Sequence, residues 1–439
     1  MSATSSSPRR SILTEGTNSS KAVLSTIKAL LQHHGDRSLI PDAPALPFLV
    51  TRHFASYYSG RYHLQPGEFP DVVGDLGHGT SFIVQHAKLP DMANIQTGKH
   101  DNINVALKRI RPSRSTARTR QSFQEIISEL ICLTHEPLYK NSNVVTLLGL
   151  GWEVSPSPND SRLWPYLILE YAAHGTLADL QNSDKILSYA EKKNIVLNIA
   201  EALGILHHCE IIHGDIKSEN VLVFDNPAGG FIAKLSDFGY ATLNIDFSPS
   251  QGSIKGTPKE IFVNTGTLPW TSPEFGSTVS WENAFKSDVY TWGLLVWRVF
   301  IDGANPFQSH EHLFKEVAGV RGASDVPNDL YWKSADIVLP AAKRFAKSVT
   351  QPIEDFPLEE VFEWTLKKNP QERDLQRAFV PWLFGPQYVK SQISRGAEAH
   401  YPFQLPLTRQ LLFAGSDSFH GFLGEPVSVS SKPLNSIDE

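Results

Sequence analysis

The feature that most limits what this chain can become is a change of hydrophobic period near Gly175. Before it, apolar runs at Asp71–Gly74, Phe82–His86, Val105–Ile110, Val144–Leu148 and Leu167–Tyr171 have the length and the β-branched or aromatic content of strands. One helical pattern, Phe123–Leu133, interrupts them. After Gly175, apolar residues recur at helical spacing over Ile195–His207, Lys286–Phe300, Leu358–Leu366 and Leu375–Leu383. Within this second part Val221–Phe224 and Phe231–Leu235 flank Asn226-Pro227-Ala228-Gly229-Gly230, a hairpin signal. A small sheet carrying one helix is therefore expected ahead of a larger, mostly helical part.

The 439 residues suffice for two or three domains, and 41% hydrophobic with 20% charged residues excludes wholesale disorder. Cys132 and Cys209 are the only cysteines, which excludes a disulfide scaffold and fits a reducing, intracellular setting. With 40 basic and 46 acidic residues the net charge is −6, against general nucleic-acid binding. Residues 1–20 read as a disordered Ser/Thr-rich tail without the apolar core of a secretory signal. Trp292–Ile301 is too short for a membrane span and contains Arg298. Residues 21–70 read as an extension, with a short helix over Val23–Leu31 and an aromatic stretch, Pro47–Leu64, lying on a domain surface. Residues 386–439 read as an irregular tail.

Three segments carry chemistry. LGHGTSFIV, Leu76–Val84, is a glycine-rich turn between strands in which Gly77 and Gly79 let backbone N–H groups approach phosphate oxygens, although an ordinary hairpin also explains the pair. VALK puts Lys108 on a strand behind three apolar residues, where its ammonium needs a carboxylate or a phosphate. The next helix offers Glu125 and Glu129; pairing with Glu129 keeps Leu133, one turn further, in the core, so Glu129 is the expected partner. The densest signal is HGDIKSEN, His213–Asn220, followed by VLVF and then Asp237-Phe238-Gly239. Asp215 is suited to accept a proton from an alcohol, Asn220 and Asp237 to ligate a hard cation such as magnesium, and Lys217 to neutralise charge on a transferring phosphoryl group. An Asp-rich turn accounts for any one of these residues, but not for all four in this order around a hairpin.

In these motifs the sequence resembles the eukaryotic protein kinase superfamily from about Asp71 to about Leu383. The resemblance implies an α+β bilobal fold, with a small, mostly β N-lobe holding one key helix (71–171) and a larger, mostly α C-lobe (172–385). It implies ATP and Mg2+ as cofactors: Gly77 and Gly79 cover the phosphates, Lys108 paired with Glu129 holds them, Asp215 is the catalytic base beside Lys217, and Asn220 and Asp237 hold the metal. LILEYAAHGTL resembles the hinge, with Leu169 behind the adenine, Glu170 to Ala172 presenting backbone to its edge, and Val84, Ala106 and Leu222 around the ring. GTLPWTSPE, Gly266–Glu274, resembles the substrate platform, with Glu274 expected to pair with Arg373 and Asp288 to brace the catalytic loop. His213, Phe238, Leu133 and Leu147 resemble the stacked internal spine. Lys217 and Thr267 are the residue types of the serine/threonine branch, implying protein substrates with Ser or Thr, in a style similar to tyrosine-kinase-like and fungal members.

Two departures stand out. Gly214 replaces an arginine that in the family binds an activation-loop phosphate, which implies activity without that phosphate. Phe82 replaces the third glycine, where it stiffens the turn or shields the phosphates and weakens nucleotide binding. Arg109, Arg111, Arg114, Arg118 and Arg120 read as a basic loop, either solvated or docking an acidic partner. His33-His34 and His207-His208 lack a second ligand pair, so no structural metal is expected. Two rivals stay open: an ATP-binding scaffold or switch, favoured by Phe82 and Gly214, and a small-molecule phosphotransferase, opposed by Lys217 and the platform.

Overall fold

The computed structural model describes residues 62–64, 67–90, 102–113, 115–154, 163–243, 260–309, 312, 336–350, 352 and 357–384. The expected N-terminal tail, the helix over residues 23–31, His33-His34 and the tail from 386 lie outside the described residues.

Tyr62–Leu64 (β1), Asp71–His78 (β2), Phe82–Pro90 (β3), Asn102–Ile110 (β4), Leu147–Val154 (β5) and Leu163–Glu170 (β6) form one sheet in the order β1-β5-β6-β4-β3-β2. All neighbours are antiparallel except β1, which runs parallel to β5. Strand β6 is buried from Trp164 to Leu169 because strands flank it on both sides and both of its faces are covered. Pro165, which has no N–H to give, is accommodated because the β4 ladder ends at the Arg109–Tyr166 pair, leaving it opposite Trp152 of β5 alone. Alternate residues divide the sheet's two faces. Val105, Leu107, Tyr166 and Ile168 form one small cluster with Tyr62 and Leu64, whereas Ala106, Ile110, Leu167 and Leu169 join the main core.

The helix on that second face, Thr116–Thr134 (α1), starts well before the expected Phe123 because Ser115 caps it, accepting the Arg118 N–H at 3.4 Å. Arg118 and Arg120 therefore sit in its first turns and Arg109 lies in β4, which corrects the expected basic loop over 109–120. The Arg109 guanidinium is paired with Glu153 and lies over the Phe69 ring, and Arg111 donates to the Gly79 carbonyl at 2.9 Å, so at both positions the charge is used within the protein. The strand expected from Val144 begins instead at Leu147. Val144 makes a lone parallel bridge to Leu235, and the Val145 N–H donates to the Leu235 carbonyl at 3.0 Å.

The second part holds Leu177–Gln181 (α2), Tyr189–His208 (α3), Ile211–Ile212 (β7), the hairpin Val221–Asp225 (β8) and Phe231–Leu235 (β9), and Thr242–Leu243 (β10), which pairs with β7. Glu260–Val263 (β11) pairs with Ser277–Ser280 (β12), and Trp281–Phe300 (α4), Val338–Ala346 (α5), Leu358–Thr365 (α6) and Leu375–Phe384 (α7) follow. Capping boxes at Thr176/Asp179 and Ser188/Glu191 start α2 and α3. Helix α4 is buried on every face from Val289 to Trp297, the pattern of a helix at the centre of a lobe. Among the described residues no helix is long and apolar enough to cross a membrane. Glu274 and Arg373 meet through two hydrogen bonds of 2.8 Å, and the remaining guanidinium N–H groups reach the carbonyls of Lys286, Lys367 and Lys368.

Candidate functional site

Strand β4 delivers Lys108 to the cleft and α1 delivers Glu129 to meet it. The Nζ lies 2.5 Å from Glu129 Oε2 and 2.9 Å from Asp237 Oδ1, with Lys108 5% exposed and Glu129 fully buried. Burial by itself pushes the ammonium pKa down, but the Asp237 and Glu129 carboxylates outweigh it and hold the lysine above its ordinary value. Burial pushes the Glu129 carboxyl up to about 7 against the pull of Lys108. Asp237, whose burial acts in the same upward sense, is nevertheless held below the ordinary carboxylate value, chiefly by Lys108. It sits at φ 62°, a left-handed conformation that turns its carboxylate back toward the lysine. Glu125, the alternative partner, instead accepts from Gln121 at 2.8 Å.

The segment His213–Asn220 is fixed from below by one carboxylate. Asp288 of α4 accepts the backbone N–H groups of His213 at 2.8 Å and Gly214 at 2.9 Å, and also meets His207 Nε2 at 3.0 Å. Gly214 adopts φ +79°, where a Cβ would lie 2.6 Å from Thr265 Oγ1, so a side chain has neither the conformation nor the room. Asp215, 3% exposed, accepts three hydrogen bonds: Lys217 Nζ at 2.7 Å and Asn220 Nδ2 at 3.0 Å on Oδ2, and Thr267 Oγ1 at 2.9 Å on Oδ1. Lys217 also donates to Thr267 Oγ1 at 2.6 Å, which ties the platform segment to the loop. The His213 and Phe238 rings meet edge-on at 5.1 Å, and Phe238 belongs to the same core cluster as Leu133 and Leu147.

Val84, Ala106, Leu169 and Leu222 share this cluster, with Ala106 directly opposite Leu169 in the β4–β6 ladder. Glu170 accepts Lys234 Nζ at 2.8 Å on each oxygen and the Thr146 N–H at 2.6 Å, while the Ala172 carbonyl accepts the Gly175 N–H at 3.1 Å. The glycine-rich segment is less of a turn than the sequence suggests, because β2 runs on through Gly77, which pairs with Val84. The reversal itself spans Gly79 to Phe82, and Gly79 donates its N–H to the Phe82 carbonyl at 2.9 Å instead of presenting it to the cleft. The Phe82 ring is buried, 4.7 Å from Lys108 Nζ.

Residues 91–374, well over half of the chain, match the family described as the protein kinase domain. The chain belongs to the protein kinase family. The kinase is 28% identical to the probable serine/threonine-protein kinase gdt8 of Dictyostelium discoideum, over 52% of its own length and 15% of that protein. It is 32% identical to receptor-interacting serine/threonine-protein kinase 1 of Homo sapiens over 37% of its own length and 23% of that protein. It is 30% identical to calmodulin-binding receptor-like cytoplasmic kinase 2 of Arabidopsis thaliana over 51% of its own length and 47% of that protein. In each case it spans less than half of the relative's length. The bilobal α+β architecture and the superfamily both agree with the sequence reading.

Sequence reasoning placed Arg111 only in a basic loop and missed its hold on the glycine-rich reversal. Its N–H donates to the Ser81 carbonyl at 2.8 Å and its Nη1 to the Gly79 carbonyl, clamping the turn to the end of β4. The available signal was its place directly after a strand that pairs with the segment holding Phe82. It also missed Lys234, whose hairpin position gave no hint of its pairing with Glu170 at the end of β6.

Proposed function

We propose that this protein transfers the γ-phosphoryl group of ATP, with magnesium, to serine or threonine hydroxyls of protein substrates, through a catalytic unit of residues 71–385. The observation that carries the reading is the convergence of Lys217, Asn220 and Thr267 on the Asp215 carboxylate. Each carboxylate oxygen has two lone pairs, so Oδ1, holding one bond from Thr267, retains one for a substrate hydroxyl and its proton. Lys217, already positive beside that hydroxyl, stabilises charge as the transfer proceeds, and Thr267 keeps both groups in register. Lys108, held by Glu129, would orient the phosphates. The apolar faces of Val84, Ala106, Leu169 and Leu222 would take the adenine, next to the backbone of Glu170 to Ala172.

The oxygens present suit a hard cation. Asn220 spends its amide hydrogens on the Asp215 carbonyl and carboxylate, leaving its side-chain oxygen as a ligand, and Asp237 has a second oxygen beyond the one that meets Lys108. Among the described residues no group of three or more His, Cys, Asp or Glu is gathered for a metal, so Asn220 and Asp237 would hold magnesium with phosphate oxygens and water completing the shell. When bound, the cation neutralises phosphate charge.

Radiolabelled ATP and a generic protein substrate test the proposal, with Asp215→Ala beside wild type. Incorporation into protein should fall by about 10²–10⁴-fold. Equal incorporation in the two samples would refute the assignment, and label on a small metabolite would favour the phosphotransferase rival. A second reading, a nucleotide-binding scaffold with little turnover, is favoured by the Phe82 ring against Lys108.

A further inference from the structure

The Phe82 side chain covers the approach to Lys108 that its two carboxylate partners leave. An ammonium carries three N–H bonds. Two are engaged inside the protein, on Glu129 and on Asp237. The Phe82 ring stands over the same nitrogen at 4.7 Å, itself only 8% exposed and packed in the cluster that contains Ala106 and Ile110. An aromatic face attracts an ammonium but supplies no oxygen, so a phosphate reaches this nitrogen only after the ring has left.

Strand register puts the ring in that place. Phe82 and Val84 lie two residues apart on β3 and so face the same way, with Phe82 nearer the reversal and Val84 opposite Lys108. A base resting against Val84 would extend its phosphates toward Phe82. The backbone holds the ring there as well: the Phe82 carbonyl accepts Gly79, and Arg111 grips the carbonyls on either side of Thr80, those of Gly79 and Ser81.

Resting on the nucleotide reading of the cleft, we propose that Phe82 is a specificity-determining residue that sets the affinity for a polyphosphate against that for the bare nucleoside. With the ring on Lys108 the protein gains little from the phosphates, and it discriminates weakly between adenosine and ATP. Displacing the ring admits the triphosphate to the lysine.

The test is calorimetric titration of the full chain with adenosine and, separately, with magnesium ATP, for wild type, Phe82→Gly and Phe82→Leu. Phe82→Gly should tighten ATP binding by about tenfold and alter adenosine binding by less than about twofold. Phe82→Leu keeps apolar bulk for the core without the aromatic face, and should tighten ATP by about threefold. ATP affinity unchanged or weakened in the variants, with adenosine still bound, overturns the role of Phe82 and leaves the nucleotide reading standing. Failure of both ligands to bind all three proteins overturns the nucleotide reading, and this proposal with it. Should Phe82→Gly not fold, as seen in its melting curve, the ATP-to-adenosine ratio of Phe82→Leu decides.

Discussion

The loop His213–Asn220 and the glycine-rich reversal face one cleft, yet they spend their polar groups in opposite directions. Over His213–Asn220 bonds within the loop are joined by support from outside it, with Asp288 taking two backbone N–H groups from beneath, and Lys217, Asn220 and Thr267 converge on Asp215. Over Gly79–Phe82 the bonds close on the segment itself and on Arg111, and the Gly79 donor points away from the cleft. The first region is arranged ahead of any ligand, so its ordering cost is met on folding; the second must open before it can grip one. Burial separates the loop from the strand that leads into the reversal: His213, Asp215 and Asn220 are buried, whereas β2 is exposed along almost its whole length, with Val72, Val73 and Leu76 facing solvent, and burial resumes only at Ser81 and Phe82.

The largest effect should come from removing the anchor of the prearranged half. Arg373→Ala leaves Glu274 charged in a buried site and three carbonyls without their donors, and should cost about 3–5 kcal/mol in chemical denaturation. A loss below about 1 kcal/mol would mean that the platform is not held by this pair. Next comes Gly214→Arg, which restores the residue type usual in the family. Positive φ and the Thr265 contact forbid it here, so stability should fall by about 1–3 kcal/mol and turnover should drop with it. A variant as stable and active as wild type would erase the claimed rigidity of the loop. The smallest effect lies at the boundary between the regions. Glu129 carries a raised pKa of about 7 in the fold, so the stability it contributes is fully present below the unfolded value near 4.5 and is lost as pH rises through 7. Wild type should therefore lose stability relative to Glu129→Gln from pH 4.5 to 7, and the difference should level off above. Phosphate transfer by wild type should move the other way, since a neutral Glu129 holds Lys108 less firmly; a flat difference across this range would contradict the shift.

What the sequence disclosed depended on whether a residue's role follows from its near neighbours. The Lys108–Glu129 pair was legible because helical spacing ranks Glu129 over Glu125, and the β8–β9 hairpin because Asn226–Gly230 is a turn by composition. Gly214 was legible as a departure, but not its φ of +79°, nor the lack of room for a side chain beside Thr265 in a segment some fifty residues away. Val144 and Val145 looked like strand and proved to be a clip onto Leu235, since an apolar pair does not say which backbone it will meet. Helix α5 went unread because Pro340 and the alanines blur its period, though its face of Val338, Ala341, Ala342 and Phe345 is fully core. A role set by a distant partner, such as Lys234 on Glu170, had no local signature.

Strand β1 lies ahead of the family match at residue 91 and of the first strand expected at Asp71, yet it is woven into the sheet. Its fit is close: a Cβ on Gly149 would collide with the Tyr62 carbonyl. Cutting the chain at the family boundary would strip β1, β2 and β3 and leave β4 and β5 as open edges, with the backbone of Gly149, Leu150 and Gly151 seeking another strand. The few residues of β1 thus act as a selvedge, keeping one copy of the sheet from being sewn to the next.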